Sequence, residues 1–327
     1  MYRGWGIAAG FHKQGWGCGI SDHSTAEVNM APDGSVLVRT GAADMGQGAH
    51  TVLAQFAAER LGVTPSRVKV NKPDTAQAAD AGPSVGSRVT TFSGNAVIRA
   101  AEPIRQVLLN LAAEETGADP ALVNLHQGFV YIEGERLNLQ VADLAAKAYQ
   151  KNLPMQASGF YAMDYPVVQL PDGSEGHEQS VAFGAHAAQV LVDVETGQVE
   201  VEQIVAVHDV GQVVNPGGIR GQIEGGVVMA SGSTLREELL VDQGKILNTS
   251  LESYLIPTSF DTPDIIIDVV EQSDPEAPLG AKGVGEPPIN IAPAAIANAV
   301  ADAIGAPITQ LPITPERVLE AIHSGDK

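Results

Sequence analysis

The chain has 327 residues, 44% hydrophobic and 18% charged, the balance of a globular protein with room for one large domain or two lobes. Its formal net charge of -20 argues against a phosphate-backbone partner, because nucleic-acid binding draws on Lys and Arg. The single cysteine, Cys18, excludes an internal disulfide and a protein-borne iron–sulfur cluster and fits a reducing compartment.

No basic-then-apolar leader opens the chain, and no apolar run approaches the roughly 20 residues that span a bilayer, so a soluble cytoplasmic protein is expected. Tyr2 to Ile20 reads as an extended strand followed by a loop. Its Gly4-x-Gly6-x-x-x-Gly10 has the wrong spacing for a dinucleotide loop, and no strand precedes it. Ala26 to Thr40 alternates around Pro32-Asp33-Gly34 and predicts a hairpin. Gly46-Gln47-Gly48 then leads into a helix over 49–61, ended by Gly62. Glycines before a helix start are expected to leave backbone N–H groups facing outward, as an anion site would. The same segment also reads as a tight strand–helix turn, and His50 as a helix-start residue. Arg67 to Val70 is a short strand. Asp74 to Ser93 has neither period and reads as a functional or disordered loop through Gly86-Ser87-Arg88, or as a Ser/Gly linker, ending where a long helix starts at Gly94-Asn95. Gly117 stops that helix.

Further on, 121–139 predicts another strand pair turning at Glu133-Gly134, and 141–149 a short helix. The proline-bearing stretch 152–180 reads as a loop, so two lobes are expected, 1–155 and 156–327. The second opens with strands over 181–193 and 198–208, carrying His186 and His208 as core or edge histidines. Gly221-Gln222-Ile223-Glu224-Gly225-Gly226 lies in a helix too rich in glycine to stand free, since each Gly costs about 1 kcal/mol against Ala. Close packing against a ligand or a backbone is the expected compensation. A hairpin at 241–246, a strand over 265–270, a helix from about 290 or 292 to 304 and a last helix opened by Pro315 complete the chain.

Between the strand over 265–270 and the helix that follows it lies Gly280-Ala281-Lys282-Gly283-Val284-Gly285-Glu286-Pro287-Pro288. Glycines let other groups approach the backbone, and Pro287 biases Glu286 towards extended dihedrals. An acid fixed in one direction suits general-base work. Taken alone, the same stretch also reads as a surface turn with an exposed Glu.

Read together, Gly46-Gln47-Gly48, Gly86-Ser87-Arg88, the Gly221–Gly226 run and the Gly280–Pro288 loop resemble the molybdenum-binding subunit of the molybdenum hydroxylases, the xanthine dehydrogenase and aldehyde oxidoreductase family. The resemblance runs from Gly4 to about Ala321 and covers only the C-terminal half of that family's molybdenum subunit. It implies an α+β fold, two lobes of mixed β-sheets with packed helices. It further implies that Glu286 is the catalytic base and that a molybdenum–pterin cofactor, in a dinucleotide form such as molybdopterin cytosine dinucleotide, carries the metal without protein ligands. Gly46, Gln47, Gly48, Gly86, Ser87, Arg88, Gln222, Lys282, Gly283 and Gly285 are the implied cofactor contacts. The implied reaction oxidises an N-heterocycle or aldehyde with oxygen from water. The implied partners are a separate N-terminal-half molybdenum subunit, a [2Fe–2S] subunit and an FAD subunit. A non-catalytic cofactor-handling protein, or an unrelated nucleotide-binding α+β protein, are the other readings.

Overall fold

Strands of alternating burial and alanine-rich helices build two layered halves. The structure, a computed structural model, describes residues 1–16, 22–71, 74–163, 167–169, 173, 175–177 and 180–325, so Cys18 lies outside the described residues. In chain order the first elements are β1 (Tyr2–Lys13), β2 (His23–Met30), β3 (Val36–Thr40), α1 (Ala49–Leu61), β4 (Val68–Val70), α2 (Arg88–Thr116), β5 (Val123–His126), β6 (Phe129–Ile132), β7 (Glu135–Gln140), α3 (Val141–Gln150) and β8 (Gln156–Ala162). There follow β9 (Val167–Gln169), β10 (Glu175–His177), β11 (Val181–Val192), β12 (Val199–Asp209), α4 (Pro216–Leu235), β13 (Val241–Asp242), β14 (Lys245–Ile246), β15 (Asp264–Val270), α5 (Pro287–Ile304) and α6 (Pro315–Gly325).

Two four-stranded sheets carry the fold, in the orders β4-β3-β2-β8 and β1-β11-β12-β15. Each is antiparallel except for one parallel edge pair, β3 with β4 and β12 with β15. Parallel neighbours need a crossover, and α1 and α4 lie in those two connections. The α+β class is as expected, and the same order of strand pair, loop, helix and parallel strand recurs in both halves. One core gathers β2, β3, α1, α2 and α3 around Phe56, Phe92, Ile104 and Leu108. The other gathers β11, β12, α4 and α5 around Val190, Ile204, Ile223 and Ile296.

A single device seats the principal helix on each sheet. A Cβ at Gly159 of β8 would lie 2.1 Å from the Ala96 carbonyl oxygen of α2. On β1, a Cβ at Gly4 would lie 2.1 Å from the Ala299 carbonyl oxygen, and one at Gly6 would lie 2.2 Å from the Ala299 nitrogen, both in α5. Strand backbone thus meets helix backbone with no side chain between them.

Several expectations need correction. The long helix starts at Arg88, six residues before Gly94, because Thr91, Phe92 and Ser93 are buried against the first core and packing overrides their weak helix propensity. Strand β8 falls inside the expected loop 152–180, and 121–139 forms three strands, not two. The sheets do not divide at 155/156: β1 joins the second sheet and β8 the first. Glu286 is not extended. It has φ -103 and ψ -27 and is the N-cap of α5, with Pro287 and Pro288 filling the first two helical positions, where a missing N–H costs nothing.

Candidate active site

A cavity of about 710 Å³ lies where loops from both halves meet. One wall is built around Glu286. Its Oε1 accepts from the Gly86 N–H at 3.1 Å, and its Oε2 accepts from Ser87 Oγ at 3.0 Å. Ser87 Oγ also accepts from the Glu286 N–H at 3.1 Å, so this hydroxyl grips the residue twice. Nε2 of His12, on β1, lies 2.9 Å from Oε2, and Nδ1 of that ring lies 2.7 Å from Asn290 Nδ2. The hydrogen bond from His12, then those from Ser87 and Gly86, hold the Glu286 carboxyl below its usual value against the opposing effect of partial burial. A carboxylate so placed is ionised at neutral pH and can take a proton.

The loop under Glu286 is locked from below. Buried Gln14 accepts from the Gly283 N–H at 2.7 Å and donates to its carbonyl at 3.2 Å. A Cβ at Gly283 would lie 2.2 Å from the Ser87 carbonyl oxygen, so only glycine fits. Lys282 Nζ donates to Asp209 Oδ2 at 2.6 Å in a pair almost closed to solvent. Ser87 itself has φ 51, a left-handed conformation that costs a non-glycine residue about 1–2 kcal/mol. That strain turns its hydroxyl and the preceding N–H towards the carboxylate.

The cavity is also lined by Gly46, Gln47 and Gly48, and by Gln222 beside the Glu286 loop. A Cβ at Gly46 or Gly48 would meet nothing within 4 Å, so this backbone is bare towards open space. The expectation of free N–H groups needs correction, however: those of Gly46, Gly48 and His50 donate to the Asp44 carboxylate at 3.0, 3.3 and 3.0 Å. Gln47 folds into its own loop, accepting from the Met45 N–H at 2.6 Å and donating to the Ala43 carbonyl at 2.8 Å. Gln222 of α4 makes no hydrogen bond to another described residue. Its Oε1 would lie 3.7 Å from a Cβ at Gly285. His50 donates from Nε2 to the Ala42 carbonyl at 3.0 Å, as a helix-start residue.

Like Gln47 and Lys282, the expected contact Arg88 has its side chain committed elsewhere. It is buried, with Nε 2.7 Å from Asp22 Oδ1 and further donors on the carbonyls of Ala81, Pro83 and His23. The guanidinium also lies 4.7 Å from the Phe92 ring centre. It braces the turn that carries Ser87. His186 and His208 form a buried pair, Nε2 to Nε2 at 2.8 Å, and both Nδ1 atoms lack a partner among the described residues. Burial, with His208 adding to it for His186, pushes His186 down to about 3; burial alone pushes His208 down to about 4. Sequence reading missed His12, Gln14 and Asp44. Their partners lie 274, 269 and at most 6 residues away, so only the Asp44 turn had a local signal, an acid just before a glycine-led helix.

Residues 1–263 match the family model of the molybdopterin cofactor-binding domain. Over 98% of its length the chain is 34% identical to the nicotine 6-hydroxylase large subunit of Paenarthrobacter nicotinovorans, covering 40% of that protein. It is 31% identical to the xanthine dehydrogenase molybdenum-binding subunit of Escherichia coli O157:H7, over 99% of this chain and 42% of that one. The crystal structure of quinoline 2-oxidoreductase from Pseudomonas putida 86 superposes with a TM-score of 0.86 at 32% identity, over 98% of this chain and 42% of that one. The chain therefore spans less than half the length of these relatives. With a shared fold along nearly all of its length, it belongs to the molybdopterin cofactor-binding domain family of the molybdenum hydroxylases.

Proposed function

We propose that this chain is the molybdenum-cofactor-binding part of an oxidoreductase that hydroxylates an N-heterocycle or an aldehyde, with Glu286 as its general base. The observation that carries the reading is the carboxylate held on the cavity wall by three donors from two other segments. Such holding fixes a base in space before any substrate arrives. The names of two relatives, a nicotine hydroxylase and a quinoline oxidoreductase, favour the N-heterocycle over the aldehyde.

The residues present fit a pterin cofactor. The bare backbone at Gly46 and Gly48 admits a ligand at close range, and the Gln222 amide, without a partner among the described residues, offers both a donor and an acceptor to it. When bound, the molybdenum–pterin group supplies the two-electron oxidation, as cofactors do for chemistry that side chains cannot perform. Glu286 contributes the proton acceptor, Ser87 and Gly86 its orientation, and the Lys282–Asp209 pair the rigidity of the loop. A dinucleotide form of the cofactor belongs to the same proposal.

We assign the remaining parts to partner subunits: one bearing the N-terminal half of the molybdenum subunit, one with [2Fe–2S] clusters and one with FAD. Two features support this. The relatives run to more than twice the matched length. The outward face of the second sheet is apolar, with Trp5, Ile7, Phe11 and Phe183 all exposed, where a solvated sheet face is ordinarily polar. Co-purifying the chain with its partners and measuring molybdenum by elemental analysis, then turnover of an N-heterocycle, tests the assignment. Bound molybdenum with equal turnover in the wild type and Glu286→Gln would overturn the role of Glu286, and bound molybdenum with no turnover in either would leave a cofactor-handling protein.

A further inference from the structure

We propose that His12 is a positioning residue for Glu286: its Nε2–H, held in place by the Asn290 amide, occupies Oε2 and leaves Oε1 as the atom that takes the proton. This rests on the reading of Glu286 as a base. The ring has two hydrogen-bonding nitrogens and both are spoken for. Asn290 Nδ2, which can only donate, lies 2.7 Å from Nδ1. Nδ1 is therefore an acceptor, and the ring proton sits on Nε2, 2.9 Å from Glu286 Oε2.

The carboxylate oxygens are thereby made unequal. Oε2 receives two donors, His12 Nε2 and Ser87 Oγ. Oε1 receives one, the Gly86 N–H. Each donor uses lone-pair capacity that a proton would otherwise take, so the more open oxygen is the basic one. The arrangement follows from helix geometry. Glu286 and Asn290 are four residues apart and lie on one face at the start of α5, so a single ring from β1 can bridge both. The charged groups on the packed elements are otherwise engaged: Lys282 with Asp209, Arg88 with Asp22, and Lys13 with the Trp16 carbonyl at 2.6 Å. Among the described residues, His12 is the only titratable side chain in hydrogen-bond contact with Glu286.

The test is a carboxyl titration that needs neither cofactor nor partner. In the full chain carrying 13C-carboxyl glutamate, the Glu286 infrared band is isolated by subtracting Glu286→Gln and followed against pH. His12→Ala removes a donor from the charged form, so the Glu286 midpoint rises. His12→Gln keeps an N–H donor at similar reach and brings it back towards the wild type. Asn290→Ala frees the ring to move its proton to Nδ1, giving a smaller rise. In the assembled enzyme the acid limb of kcat/KM moves to higher pH in the same order, because the base must be ionised to act. An unchanged midpoint in Asn290→Ala, whose ring is intact even if His12→Ala fails to fold, overturns the proposal. So does a midpoint in His12→Gln as high as in His12→Ala, which would make His12 a spacer. If the midpoints move while no turnover is found with any N-heterocycle, the positioning stands and the functional reading falls.

Discussion

The two walls of the cavity are finished to different degrees. Around Glu286 both carboxylate oxygens, the peptide N–H of the residue and the loop beneath it are bonded within the protein. Elsewhere on the lining, Gly46 and Gly48 face open space, and the Gln222 amide, beside Gly285, has no partner among the described residues. A group that must act in one direction is worth locking before ligand arrives, whereas a half-buried polar group facing a cavity stays available to a ligand. Under the proposed function, the contrast would separate the part that performs chemistry from the part that recognises.

If the contrast is right, breaking the locked wall and breaking the open wall should give different signatures. The largest effect belongs to Glu286→Gln, expected to lower turnover by about 10²–10⁴-fold, the usual worth of a general base, with molybdenum content unchanged by elemental analysis. Next comes Arg88→Met. It leaves Asp22 buried without its partner and should cost about 3–5 kcal/mol in urea unfolding, weakening the Ser87 turn through the fold. Gln222→Ala should cut cofactor retention about tenfold, some 1.4 kcal/mol, with no change in melting temperature. A loss of fold in that variant would place Gln222 on the locked side.

The smallest effect at neutral pH comes from the paired histidines. Burial lowers both below the unfolded value of 6.5, to about 3 and about 4, so between those values the unfolded chain binds more protons than the folded one. Stability is then full above 6.5 and falls as pH falls below it. Melting temperature measured from pH 7 to pH 5 should drop, and more shallowly in a His186→Leu/His208→Leu double variant.

Much of this was legible in the chain, and the gaps have physical causes. Helix α1 announced itself by an apolar stripe between Gly48 and Gly62, and the structure ends it with Gly62 at φ 69. The Glu286 loop stood out because glycine and proline frame a single acid. The start of α2 was hidden because Thr90, Thr91 and Ser93 favour loops when nothing packs on them, and Phe92 supplies what does. Strand β8 was hidden by Gly159, whose missing side chain is what α2 requires. His12 could not be read at all: nothing near it in sequence marks it, and its significance comes only from a carboxylate brought across by folding.

The glycines of β1 therefore act at a distance. One strand bears both the bare positions on which α5 rests and, six residues past Gly6, the imidazole that meets the acid at the tip of that helix. The separation of backbone from backbone at Gly4 and Gly6 is a gauge that sets how far the ring reaches. A methyl group added there, roughly 20–26 Å along the strand from the imidazole, has no room unless the helix lifts, and a lifted helix carries Glu286 away from that ring. An inactive variant could thus arise at a residue that lines no part of the cavity.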